Sequence, residues 1–140
     1  MKVRLERRYR FSASHLYLRP EWSEEENRAR FGRCTNPHGH NYRLYVQVAG
    51  EPDPATGFVA DLAELDRLVT NHILDRLDHQ HLNTALAEFA AGALTPSTEN
   101  LIAWIHRALT PHLPPSVDLV SLRVEEDEDL AAVWERGSDQ

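Results

Sequence analysis

Residues 3–15 read Val-Arg-Leu-Glu-Arg-Arg-Tyr-Arg-Phe-Ser-Ala-Ser-His, and residues 38–48 read His-Gly-His-Asn-Tyr-Arg-Leu-Tyr-Val-Gln-Val. In the first stretch Val3, Leu5, Tyr9, Phe11 and Ala13 take odd positions, while Lys2, Arg4, Glu6, Arg8, Arg10, Ser12 and Ser14 take even ones. Successive side chains of an extended chain point to opposite faces, so this is a half-buried strand whose inward parity ends on His15. In the second, Tyr42, Leu44, Val46 and Val48 share a face opposite Arg43, Tyr45 and Gln47, which predicts a strand from His40 to about Val48. The pair is expected to run antiparallel.

Outward from this pair, residues 19–36 follow neither period and carry turn formers, so a long excursion is expected with a short helical turn around Glu24 to Arg30. Gly50, Pro52, Pro54 and Gly57 form a connector. Asp61, with Glu64 three residues on, has the spacing of a helix-capping box, and Leu62, Leu65, Val69, Ile73 and Leu77 recur at helical spacing to predict a helix over 62–77. Thr95-Pro96-Ser97-Thr98-Glu99 announces a second helix with Leu101, Ile102, Ile105 and Leu109 on its buried face, stopped by Pro111, Pro114 and Pro115. A third strand is expected from Val117 to Glu126 and a fourth from Leu130 to Glu135, with the last five residues frayed. The order ββααββ predicts an α+β class with two helices on one face of a four-stranded antiparallel sheet.

The chain has 140 residues, 41% hydrophobic and 26% charged, which suits one domain spanning 1–140. A formal charge of −7 argues against a bulk nucleic-acid partner, which would need a basic face. No apolar run has bilayer length, and the alternating charges of Met1 to Glu6 do not build a signal-peptide core, so no membrane partner and a cytoplasmic location are expected. The single cysteine, Cys34, rules out an internal disulfide. Eight histidines are many, and their placement carries the chemistry.

His38 and His40 lie two apart on an extended chain and so face one target. An antiparallel neighbour brings His15 beside them. Three imidazoles with a fourth position open make the donor set of a catalytic zinc site. Two other readings stand beside it: inward histidines hydrogen-bonded within a core, and a closed Cys-His-His-His site that uses Cys34, four residues before His38. Asp78-His79, at the end of the first helix, reads either as an orienter and proton relay or as favourable charge at a helix C-terminus, with Asn83 suited to the turn. Glu126 shares the face of Leu122 and Val124, and a carboxylate held inward needs a cation or N–H donors. Lys2, Arg4, Arg8 and Arg10 form a basic stripe that either meets solvent or a subunit, or attracts an anionic substrate.

Phe11-Ser12-Ala13-Ser14-His15, Cys34 with His38-Gly39-His40-Asn41-Tyr42, Gly57-Phe58-Val59-Ala60-Asp61, Leu77-Asp78-His79 with Leu82-Asn83, Pro96-Ser97-Thr98-Glu99-Asn100 and Val124-Glu125-Glu126 together resemble, in order, the 6-pyruvoyl-tetrahydropterin synthase and 6-carboxy-tetrahydropterin synthase (QueD) family. The resemblance spans nearly the whole chain. It implies a T-fold whose sheets close into a β-barrel in a trimer or a hexamer of two trimers, with active sites between subunits. It further implies Zn2+ on His15, His38 and His40, Cys34 as catalytic thiol, Asp78 and His79 as its relay, and Glu126, Ser97 and Thr98 on the pterin ring. The implied substrate is 7,8-dihydroneopterin triphosphate. The spacing Cys34-x-x-x-His38 resembles the carboxy-synthase branch, whereas Ser23 to Asn27 and Phe31 to Cys34 resemble the pyruvoyl branch. Because the spacing touches the chemistry, the favoured expectation is a lyase forming 6-carboxy-tetrahydropterin for queuosine synthesis, with pyruvoyl formation and non-catalytic pterin binding as alternatives. Glu125 occupies a position often aromatic in the family and competes with Glu126 for the ring.

Overall fold

In the computed structural model, which describes residues 1–90 and 92–138, the two opening stretches pair along their whole length. β1 (Val3–His15) runs antiparallel to β2 (His38–Gly50) in a register that sets Val3 opposite Gly50, Ala13 opposite His40 and His15 opposite His38. The second strand therefore begins two residues earlier than its apolar alternation announces. The helix over 62–77 is composite: α2 (Leu62–Val69), a π turn over Thr70–Leu74, and α3 (Asp75–Leu77). Asp61 caps it by accepting from the N–H groups of Ala63 and Glu64.

The two-residue strand β3 (Gln80–His81) then pairs parallel to β1 at Ala13 and Ser14, a fifth strand where four were expected. It is too short to carry a period, and position beside β1 creates it. Two short turns, α4 (Leu82–Ala85) and α5 (Ala87–Ala90), lead to α6 (Thr98–Leu109), whose cap is the Ser97 hydroxyl accepting from Asn100 N–H. The sheet is completed by β4 (Asp118–Asp127) and β5 (Leu130–Glu135), giving the strand order β3-β1-β2-β4-β5. Of the end expected to fray, residues 139 and 140 lie outside the described residues.

One face of the sheet holds Phe11, Tyr42, Leu44, Val46, Val48, Leu122 and Val124, buried under Leu65, Val69, Ile73, Leu101 and Ile105 from the helices. Arg7 breaks the apolar parity of β1 because its guanidinium forks onto Asp66 of α2 at 3.0 and 2.8 Å, and Tyr9 donates to the same carboxylate at 2.7 Å. The excursion after β1 contains α1 (Glu24–Phe31) and a 3-10 turn over Gly32–Thr35. Buried Asn27 ties it down, accepting from Arg19 N–H and donating to the carbonyls of Arg19 and Ser23. Among the described residues β1 is paired on its outer side only at Ala13 and Ser14, and β5 has no outer neighbour, so both sides of the sheet keep open backbone edges.

Candidate functional site

The antiparallel register places His15 directly across from His38, and their Nε2 atoms lie 3.0 Å apart. Each ring is fixed from behind: His15 Nδ1 donates to the Pro96 carbonyl at 2.9 Å, and His38 Nδ1 donates to the Asn36 carbonyl at 2.8 Å. A carbonyl only accepts, so both Nδ1 atoms carry the hydrogen and both Nε2 atoms present lone pairs to one another. Such a pair repels unless a proton or a metal cation lies between. Burial first, then the neighbouring His38 and His40, lowers the His15 pKa to about 4, which disfavours the proton. His40 adds a third ring whose Nε2 is buried without a hydrogen-bond partner, and the three rings' ligand atoms all lie within 4.8 Å of one another.

Zinc at about 2.0–2.1 Å from nitrogen in a tetrahedron sets its ligands about 3.3 Å apart, so the spacing, the tautomers and the imidazole set all fit that metal. Cys34 does not join this cluster, so the geometry leaves aside the closed four-ligand reading. It sits half-buried in the 3-10 turn, and its carbonyl accepts from Tyr17 N–H at 2.9 Å. Tyr17 in turn has its ring 5.1 Å from that of His15 and 6.4 Å from that of His38.

Glu125 and Glu126 separate cleanly. Glu125 meets Arg123 at 3.1 Å and Arg43 at 3.6 Å, on the polar face of the sheet. Glu126 points inward, 7% exposed, with Oε1 lacking any hydrogen bond and lying 3.6 Å from both His15 Nε2 and His40 Nε2. Thr98 opens α6 with its Oγ1 also buried and unpartnered, two residues after the Pro96 carbonyl that holds His15. The neighbouring Ser97 oxygen is engaged as the helix cap.

Asp78 and His79 lie on the outer edge of β1. Asp78 Oδ1 accepts from Ser12 N–H at 2.9 Å and sits 3.0 Å from His79 Nδ1, while His79 N–H donates to the Ser12 carbonyl at 2.6 Å. The Ser12 N–H, and then His79, hold the Asp78 carboxyl below the ordinary aspartate range. His79 adopts φ +59°, a left-handed conformation uncommon for a non-glycine residue. Asp78 is also the residue that closes α3, its N–H donating to the Leu74 carbonyl at 2.8 Å, so the pair ends the helix and at the same time ties it to β1. The His79 side chain is 82% exposed, and among the described residues no hydrogen bond joins it to Cys34. An open cleft of about 350 Å³ lies beside it, lined by Ser12, Ser14, Gly39, His40 and Asn41.

Three residues contribute through contacts that their sequence positions do not reveal. Tyr42, a core residue by parity, places its hydroxyl 3.3 Å from His15 Nδ1. Tyr17 lies beyond the alternating stretch. Asn83 is not the turn residue its position suggested: from α4 it accepts from Leu16 N–H and donates to the Leu16 carbonyl, both at 2.9 Å, clamping the residue after His15.

The family model described as 6-pyruvoyl tetrahydropterin synthase matches residues 4–137. The human 6-pyruvoyl tetrahydrobiopterin synthase is 39% identical over 135 residues, covering 95% of this chain and 91% of the human protein. A dihydroneopterin monophosphate aldolase from Pyrococcus furiosus is 30% identical over 135 residues, covering 96% and 99%. The solved structure of Caenorhabditis elegans 6-pyruvoyl tetrahydropterin synthase superposes with a TM-score of 0.88 at 31% identity, covering 96% of each chain. Family model, relatives and fold concur, and the chain belongs to the 6-pyruvoyl tetrahydropterin synthase family of lyases.

Proposed function

We propose that this protein is a zinc-dependent lyase that acts on the C6 side chain of 7,8-dihydroneopterin triphosphate. The observation that carries the reading is the trio of His15, His38 and His40, with two Nε2 lone pairs locked face to face by backbone carbonyls. These three histidines would hold the zinc. When bound, zinc supplies Lewis-acid polarisation of a substrate oxygen, which acidifies adjoining C–H bonds.

The chain's own residues do the rest. Glu126 accepts from adjacent N–H groups of the pterin ring, and Thr98 and Ser97 at the α6 start take part in holding it. The Cys34 thiolate removes a proton from the side chain. His79, oriented by Asp78 through Nδ1, presents its other nitrogen outward to deliver one. Because Cys34 and His79 are not joined within one protomer, a second copy completes the site. The open edges of β1 and β5 support closure of several sheets into a barrel, as a trimer or a hexamer.

The product is read as 6-carboxy-tetrahydropterin, with acetaldehyde released, in the service of queuosine synthesis. The three-residue spacer between Cys34 and His38, beside both thiol and metal ligands, supports this reading. A second reading, elimination of triphosphate to the 6-pyruvoyl product, is favoured by the names of the human and Caenorhabditis elegans relatives and by the ordered α1 excursion. Incubating the zinc-loaded protein with 7,8-dihydroneopterin triphosphate and identifying the pterin by mass spectrometry separates them. A 6-carboxy product with acetaldehyde is expected; a 6-pyruvoyl product moves the protein to the second reading, and no turnover refutes both.

The described residues contain no helix long and apolar enough to cross a membrane. We place the protein in the cytoplasm, where a pterin precursor would be available to it, acting on a small molecule and on neither membrane nor nucleic acid.

A further inference from the structure

We propose that Glu126 is an exchangeable fourth ligand of the metal, closing the three-histidine site when no substrate is present and leaving it to grip the arriving pterin ring. This rests on the metal reading above. Glu126 Oε1 stands 3.6 Å from His15 Nε2 and 3.6 Å from His40 Nε2, a few tenths of an ångström beyond the separation of two ligands on one tetrahedral zinc. Neither nitrogen is within hydrogen-bond reach, and His15 Nε2 carries no hydrogen because its Nδ1 donates to Pro96. A carboxylate 7% exposed with an unpartnered oxygen needs a cation or N–H donors, and beside two imidazole nitrogens at 3.6 Å the partner that suits all three is a cation.

The nearby arginines do not supply it. Arg43 and Arg123 are engaged by Glu125 on the other face. Asp127 also brings a carboxylate oxygen within 4.8 Å of the ligand atoms of His40 and Glu126, but it is exposed and accepts from Asp129 N–H in the hairpin turn. The position shared with His15 and His40 is thus left to Glu126.

Its place in the sheet suits exchange. Between β4 and β5 the register runs Glu125 to Ala131 and then Asp127 to Leu130, so Glu126 is the extra residue of a bulge. A bulge frees a residue from the ladder and re-aims its side chain, a device common beside active sites. With a metal held by the histidines, Glu126 would bind it when no substrate is present, and on exchange the carboxylate would turn to accept the two ring N–H groups, leaving its place to a substrate hydroxyl. Two ring N–H groups that engage both carboxylate oxygens draw charge from the metal side, so ring binding favours opening of the metal position.

The test uses the full-length protein loaded with Co2+, with neopterin as an unreactive ring. Chelator competition and the cobalt visible spectrum are measured for the wild type, Glu126→Gln and His38→Ala. Glu126→Gln is expected to bind Co2+ about 10-fold or more weakly with altered bands, and saturating neopterin is expected to shift the wild-type spectrum. Equal affinity and identical spectra for wild type and Glu126→Gln, with cobalt lost in His38→Ala, remove the fourth ligand and leave the histidine site standing. Cobalt retained in His38→Ala removes the histidine site itself. Should Glu126→Gln fold poorly, the wild-type spectrum decides alone, since bands unmoved by bound neopterin overturn the exchange.

Discussion

Replacing Asn83 tests whether the histidine geometry is held from outside the site. Its side chain makes two hydrogen bonds of 2.9 Å to the backbone of Leu16, one accepted and one donated, immediately after His15. Each such bond contributes about 0.5–1.5 kcal/mol net, so Asn83→Ala should cost about 1–3 kcal/mol. For a domain of this size that is roughly a 4–10 °C fall in melting temperature. Asn83→Asp keeps the acceptor for Leu16 N–H but sets a carboxylate oxygen against the Leu16 carbonyl, so it should be no better than alanine despite its shape. Because the clamp fixes the backbone that carries His15, metal affinity should also fall by about 10–100-fold, the effect of disturbing groups that orient ligands. Thermal melts by circular dichroism and chelator competition read both quantities. Melting within 1 °C of the wild type, roughly the scatter expected of a neutral surface change, together with unchanged metal affinity, would refute the positioning argument.

Cys34→Ala should lower turnover by about 10²–10⁴-fold while leaving bound zinc unchanged, read by product assay beside metal analysis. Asp66 has its carboxyl held down first by the hydrogen bond from Arg7, so its folded pKa lies below its unfolded one and its stabilisation is present above about pH 4, fading as pH falls through the folded value. Asp66→Asn should therefore melt below the wild type at neutral pH, with the gap closing in acid; a gap constant with pH would contradict the linkage. Gly92 adopts φ +69°, and a Cβ there would lie 2.5 Å from Pro20 Cγ, so Gly92→Ala should lose at least about 1–2 kcal/mol in denaturant titration.

The strands were legible because alternation runs from Val3 to His15, broken only at Arg7, and from Tyr42 to Val48, and antiparallel pairing of those two stretches brings His15, His38 and His40 together. Glu126 was legible by the same parity, whereas its separation from Glu125 needed Arg43 and Arg123, which no spacing connects to it. The π turn over Thr70–Leu74 was hidden because one extra residue in a turn barely disturbs the apolar stripe of Leu65, Val69, Ile73 and Leu77. The strand Gln80–His81 and the Asn83 clamp were hidden for another reason. Both are made by β1 passing alongside, and a local pattern does not report a partner about 67 residues away. The carbonyls of Asn36 and Pro96, which set the histidine tautomers, belong to backbone and leave no mark in side-chain chemistry.

The proposed function requires that turnover depend on a metal held by His15, His38 and His40. Stripping the protein with a chelator, assaying 7,8-dihydroneopterin triphosphate turnover, and titrating Zn2+ back tests it most directly. No turnover without metal and full recovery at one equivalent per chain are expected, with His38→Ala unable to recover. Undiminished turnover by the metal-free protein would contradict that dependence.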